Sequence, residues 1–201
     1  MPHHRGRLAS RCLLVGTTLL LVACLAAAAP LGETETLFEL NPAQSHVAFT
    51  LPSLLHTVHG SFQVKRGHLR LDAAHGAISG ECVVDATSGD SANHRRDRKM
   101  HQEILESHRY PDIVFSPVQV RGSVAPQGES TVQVDGTFTI HGASHLITVT
   151  AVVRVTRDSF TVSTHFLVPY VQWGMHDPST FILTVGKQVQ IHFEATGRIV
   201  R

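Results

Sequence analysis

Between Asp85 and Phe115 the chain reads DATSGDSANHRRDRKMHQEILESHRYPDIVF. A strand ends in a turn-rich segment, a short charged helix follows, and Tyr110-Pro111 opens the next strand. Nearly every other periodic segment alternates with a period of two, the mark of a half-buried strand. A lone helix among many short strands excludes helical bundles and parallel α/β folds. It points to an antiparallel sheet that must either stack as a sandwich or close on itself. The helix spans 91–106, with Asn93 as its N-cap and Met100, Ile104 and Leu105 as a thin apolar stripe. That stripe is enough to lay it across a barrel mouth or flank. Its other face, Arg95, Arg96, Arg98, Lys99 and Glu103, reads as solvated.

The period-two runs are 45–51, 60–65, 68–71, 78–85, 113–120, 132–140, 146–155, 160–168 and 189–195. Pro117 interrupts one of them and marks an edge, a bulge or a bend. His141-Gly142-Ala143-Ser144-His145 joins two of them as a turn. Residues 30–35 read as a linker. There is no internal repeat and no low-complexity tract in the mature part. At 201 residues the chain is one domain behind a leader, and its 42% hydrophobic content is enough to build a core. Its 17 Lys+Arg stand against 16 Asp+Glu, which leaves no electrostatic footprint for nucleic acid.

The first 28 residues carry the marks of an export signal. Arg5, Arg7 and Arg11 precede an apolar run from Leu13 to Ala23, and Ala26-x-Ala28 fits a signal-peptidase site. A second processing reading stays open, because Leu21-Val22-Ala23-Cys24 resembles a lipobox that would make Cys24 a lipid-modified anchor. Either reading sends residues 36–201 out of the cytoplasm, to a periplasmic or secreted location. Cys82 is then left without a partner, so no intramolecular disulfide exists. It reads as a small core residue on an apolar strand face, with no basic neighbour in sequence to activate it.

Several motifs, in order, resemble the YceI family. Asn41-x-x-x-Ser45-His46-Val47-x-Phe49 is similar to its opening, although the family's acidic residue is here Asn41. His59-Gly60-Ser61-Phe62, Asp85-Ala86-x-Ser88, Asn93-x-x-Arg96-Asp97, Tyr110-Pro111-x-Ile113-x-Phe115 and Gly136-x-Phe138-Thr139-Ile140-His141-Gly142 follow, and Trp173-Gly174-Met175 falls where a further element is expected. The resemblance spans nearly the whole mature chain. It implies an all-β fold: a closed antiparallel lipocalin-like barrel of about eight strands with one inserted helix. It also implies an exported, non-enzymatic protein that holds a polyisoprenoid or isoprenoid quinone in an apolar lumen, for transport or storage in the envelope. No cofactor is implied.

On that reading Phe49, Phe62, Phe115, Phe138, Phe166, Phe193 and Trp173 line the lumen. Ser45, His46, Arg96, Asp97 and His141 are the polar residues of the mouth. An Arg96–carboxylate pair would pin the helix to the barrel. The departure at Asn41 leaves the head group open. The competing reading is an envelope-stress or metal-binding barrel, its phenylalanines filling the core and its histidines at the rim. The candidates are His56 with His59, His141 with His145, and His101 with His108; none forms a recognised zinc pattern. No nucleophile elbow or phosphate loop points to an enzyme. An edge near Pro117, or the long loop before Trp173, would supply any homodimer contact.

Overall fold

The structure is a computed structural model that describes residues 35–54, 56–181 and 184–200. The leader, Cys24 and all of the expected linker except Glu35 lie outside the described residues. Nine strands form one antiparallel ring: β1 (Glu35–Leu40), β2 (His46–Leu51), β3 (Val58–Asp72), β4 (Ile78–Asp90), β5 (Asp112–Arg121), β6 (Gly128–Ile140), β7 (Ala143–Val155), β8 (Ser159–Val168) and β9 (Val189–Val200). The β3–β4 and β1–β9 pairings close the sheet. A closed sheet leaves no long edge to template another chain.

The nine strands occupy eight wall positions. Both β1 and β2 lie between β3 and β9, β1 against His68-to-Asp72 and β2 against Val58-to-Phe62 of β3. They are one broken strand. Asn41 breaks it: its side chain accepts the Ala43 N–H at 3.1 Å and caps a single 3-10 turn, Pro42–Gln44. Asn and Asp are equally good caps, so the Asn at this position is suited to the turn it caps.

The two runs expected at 60–65 and 68–71 are one strand, β3. It stays continuous because a register shift between Val64 and Arg66 absorbs the break in alternation. Pro117 likewise sits at a bulge, opposite Gly136 and followed by a register shift before Gln119. β5 is paired with β6 along its length and with β4 over Asp112–Phe115. Pro117 is therefore not on a free edge. The β6–β7 connection is a two-residue turn, His141-Gly142, with φ of 52° and 73°. Two positive φ values are what a tight hairpin needs to match strand twist.

Helix α1 (His94–Lys99) follows β4, with the Asn93 side chain accepting the Arg96 N–H at 3.1 Å. From Met100 to Ile104 the helix widens to a π-type turn, and the Leu105 N–H reaches back to Met100 O. The expected helix therefore exists, shorter and irregular. Arg96 and Asp97 do not pair with each other. Both converge on buried Ser91: Arg96 Nε donates to its Oγ at 2.7 Å, and the Ser91 hydroxyl donates to Asp97. The strand-to-helix corner is fixed by this three-residue network, which replaces the expected Arg–carboxylate pair.

Candidate functional site

Alternation on each strand delivers one apolar residue in two to the inside. Val132, Val134, Phe138 and Ile140 of β6 face Ile147, Val149, Ala151 and Val153 of β7, and Phe160, Val162, Phe166 and Val168 of β8 continue the lining. These side chains do not fill the ring. They enclose a cavity of about 600 Å³, within the ordinary range for small-molecule sites. The packed-lumen alternative is thereby corrected: eight wall positions hold more space than these residues occupy.

One end of the cavity is sealed by Phe38, Leu71, Val120 and Phe160, all buried, with the Phe38 and Phe160 rings edge to face at 5.0 Å. The other end carries α1, the loops 52–57 and 169–188, and the His141-Gly142 turn. There the lining includes exposed His56, Asn93, Arg95 and Thr180, so the cavity reaches solvent at the helix end. The result is an apolar tube with a polar, cationic mouth.

All six phenylalanines named from the sequence line this cavity: Phe49, Phe62, Phe115, Phe138, Phe166 and Phe193. Trp173 stands apart from it. Its ring stacks on His145 at 4.0 Å and packs against Phe138 at 5.9 Å, closing the loop over the end of β7. Lumen residues not foreseen include Phe38, Leu40, Tyr170 and Met175. Phe38 and Leu40 belong to β1, which shows no clear alternation in sequence. Tyr170 and Met175 come from a loop, where no period exists to be read.

The polar residues divide. Arg96 lines the cavity at the mouth. His141 is at the same end, with its Nε2 3.0 Å from Glu106 Oε1 and its ring against Tyr110. Ser45 and His46 do not reach the mouth: they lie at the β1–β2 break, where the Ser45 hydroxyl donates to Asn41 O at 2.8 Å and His46 pairs in register with Glu194 on the outer face. His101 uses both ring nitrogens, one toward Gly89 O at 2.9 Å and the other toward Ser107 Oγ at 3.0 Å. A neutral ring with its proton on Nε2 satisfies both. Among the described residues no group of three or more His, Cys, Asp or Glu is placed to hold a metal ion.

Two groups on the lining are perturbed. Burial pushes the Cys82 thiol up to about 12, with the Glu81 charge adding to the effect. Burial also raises Tyr170 to about 12, helped by Asp177. The Tyr170 hydroxyl donates to Gly186 O at 2.8 Å and ties the long loop down. A thiol so raised has almost no thiolate near neutrality. Peptide mapping after treatment of the native protein with iodoacetamide at mildly alkaline pH is expected to find Cys82 unmodified, and modified fully once denaturant is added. Fast native labelling would show an exposed or activated thiol instead.

The family model described as a YceI-like domain matches residues 38–197. Solved structures with the same fold include Burkholderia cenocepacia BcnA, at 18% identity and TM-score 0.64, covering 78% of this chain and 98% of that one. A polyisoprenoid binding domain from Saccharophagus degradans, implicated in plant cell wall breakdown, is similar at 15% identity and TM-score 0.65, covering 81% and 98%. The Campylobacter jejuni YceI protein is similar at 16% identity and TM-score 0.55, covering 67% and 81%. No curated protein matches the chain.

Proposed function

Because the chain belongs to the family of YceI-like domains, and its barrel encloses an apolar lumen open at one end, we propose that it is a non-enzymatic binding protein for an isoprenoid-type lipid. The observation that carries this is the apolar tube itself. It is about 600 Å³ in volume, and Val, Ile, Leu and Phe dominate its lining below the polar mouth. A solved relative of the same fold is described as a polyisoprenoid binding domain, which supports the choice of lipid.

The size sets what fits. Taking each methylene-sized group to need about the liquid volume of one water, ~30 Å³, the lumen holds roughly 20 groups, or about four five-carbon isoprene units. Each contributes ~0.8 kcal/mol on leaving water, a gross gain of about 16 kcal/mol. Ordering and immobilising a flexible chain offset a large part of that. The remainder is enough for tight binding with no charged contact. Longer chains would leave their remaining units at the mouth.

Catalysis is not part of the proposal. Four polar groups near the mouth that could serve catalysis are committed to structure: Arg96 and Asp97 to Ser91, His101 to Ser107 and Gly89, His141 to Glu106. The proposal also places the protein outside the cytoplasm, in the periplasm or beyond, on the strength of the Arg-rich, Leu-rich leader. Transport or storage of the lipid between membranes is the role that fits such a carrier. Organic extraction of the purified protein followed by mass spectrometry is expected to release an isoprenoid. A lipid-free extract, with a transition metal found by elemental analysis, would sink the proposal in favour of a metal-binding barrel.

A further inference from the structure

The mouth carries two features that the lumen does not explain. The first is apolar. Leu54 is 68% exposed and Phe181 is fully exposed, and neither lines the cavity. They sit on two loops stitched together at the rim: the Leu54 N–H donates to Thr184 O at 2.9 Å, the Gly186 N–H donates to Pro52 O at 2.8 Å, and Ser53 bridges Val185. Ser53, Pro178 and Val185 of the same loops do line the cavity. The frame thus fixes the Leu54 backbone beside the opening, and exposed Phe181 follows Thr180, which lines the cavity.

The second feature is cationic. Helix α1 carries Arg95, Arg96, Arg98 and Lys99 against a single acid, Asp97. Asp97 is held by Ser91. Among the described residues Arg95 and Arg98 make no hydrogen bond or ion pair, and Lys99 has only Glu103 at 3.8 Å. The other acids of this end are engaged: Asp90 accepts the Ala92 N–H, Glu106 holds His141 and Arg109, and Asp177 holds Ser179 and faces Lys187. Six cations at this end (Arg95, Arg96, Arg98, Lys99, Arg109 and Lys187) stand against five carboxylates (Asp90, Asp97, Glu103, Glu106 and Asp177), and the excess lies on α1, where Arg95 and Arg98 have no acidic partner among the described residues.

We propose that this rim docks the barrel, mouth first, on an anionic lipid bilayer. Leu54 and Phe181 would enter the acyl boundary while Arg95, Arg98 and Lys99 meet the phosphates, the combination that holds peripheral proteins to membranes. The inference rests on the lumen reading: a lipid carrier must exchange its cargo with a bilayer through its one opening. Docking at that opening lets the chain pass from membrane to tube without crossing water, where each exposed methylene would be penalised.

Vesicle flotation tests this. Wild-type protein and variants with the same N-terminus are mixed with phosphatidylcholine vesicles, with and without phosphatidylglycerol. Wild type is expected to float with the anionic vesicles. Leu54→Ser combined with Phe181→Ser is expected to weaken that binding at least ~10-fold. Arg98→Glu changes the charge by two units, and at roughly fivefold per charge it is expected to weaken anionic binding on the order of 20-fold while leaving neutral vesicles unaffected. None of these residues lines the cavity, so each variant should take up isoprenoid from detergent micelles as wild type does. Equal flotation of wild type and variants overturns the proposal. So does loss of self-association, in place of vesicle binding, in the Leu54/Phe181 variant, since the patch would then be an interface between copies. A wild type that takes up no isoprenoid from micelles refutes the lumen reading, and the docking proposal with it.

Discussion

Ala151→Trp is expected to abolish the proposed lipid binding. Ala151 is buried on β7 with its side chain facing the lumen, flanked in register by Val132 of β6 and Thr164 of β8. It is among the smallest residues on the wall. An indole there would project into open space and occupy much of the tube's cross-section. Because the cavity is about 600 Å³, the ring fills a void and does not compress a packed core, so the usual penalty of ~1–3 kcal/mol for overpacking is largely avoided. The lipid recovered per mole of protein should fall at least ~10-fold, the factor expected from losing two or more methylene-sized contacts, while the circular dichroism spectrum and melting temperature stay close to wild type. Lipid recovered at wild-type stoichiometry from a folded variant would show that the lumen is not where it binds.

Gly80→Ala is expected to be the most damaging of the small substitutions. Gly80 lies in β4 with φ of 108°, where an L side chain is strained, and an added Cβ would lie 2.1 Å from His68 O on the paired strand. The obstacle is backbone, and it sits in the β3–β4 ladder that closes the barrel. Strain of ~1–3 kcal/mol for the dihedral adds to a similar cost for the clash, for a total of about 2–6 kcal/mol. In a domain of this size that lowers the melting temperature by on the order of 10 °C. Gly128 is the control. Its φ is 98°, but nothing lies within 4 Å of an added Cβ, so Gly128→Ala should show the dihedral strain alone. Equal destabilisation by the two would mean that the clash at Gly80 is relieved by a shift of β3.

The fold was legible where the chain repeats one simple rule. Strict alternation placed Phe49, Phe62, Phe115, Phe138, Phe166 and Phe193 on one face of their strands, and all six line the cavity. Asn93 was readable as a cap because the geometry it serves is local, three residues away. The errors fall where the rule is interrupted. β1 escaped notice, since Glu35-Thr36-Leu37-Phe38-Glu39-Leu40 mixes polar and apolar residues without a clean period. β3 was split because its bulge shifts the phase of the alternation. The helix was drawn too long, because its apolar spacing of four continues through the segment that widens to a π-type turn.

The mouth was the least legible part. Ser45 and His46 belong to a motif at a strand start, and a strand start can lie at either end of a barrel or, as here, at a break in the wall. Only the pairing of β1 and β2 with the same neighbours decides which. Charge alone suggests a carboxylate on the barrel as the partner of Arg96, yet Arg96 and Asp97 both bond to a serine five and six residues away, brought to them by the sharp turn at Ala92 with its φ of 60°. The hydrogen bond from Leu54 to Thr184 joins two loops from opposite ends of the domain, and nothing local in either loop announces it.

Period, capping and turn chemistry are interactions between near neighbours, so the linear chain alone determined that this is a β protein with apolar rings on one strand face and a single inserted helix. Whether those rings meet or leave a tube between them depends on how many wall positions the sheet closes with, and that number came from one broken strand filling a single place and from the β3–β4 seam. Volume enclosed is a property of the closed ring as a whole, not of any segment, which is why only the tertiary structure could decide it.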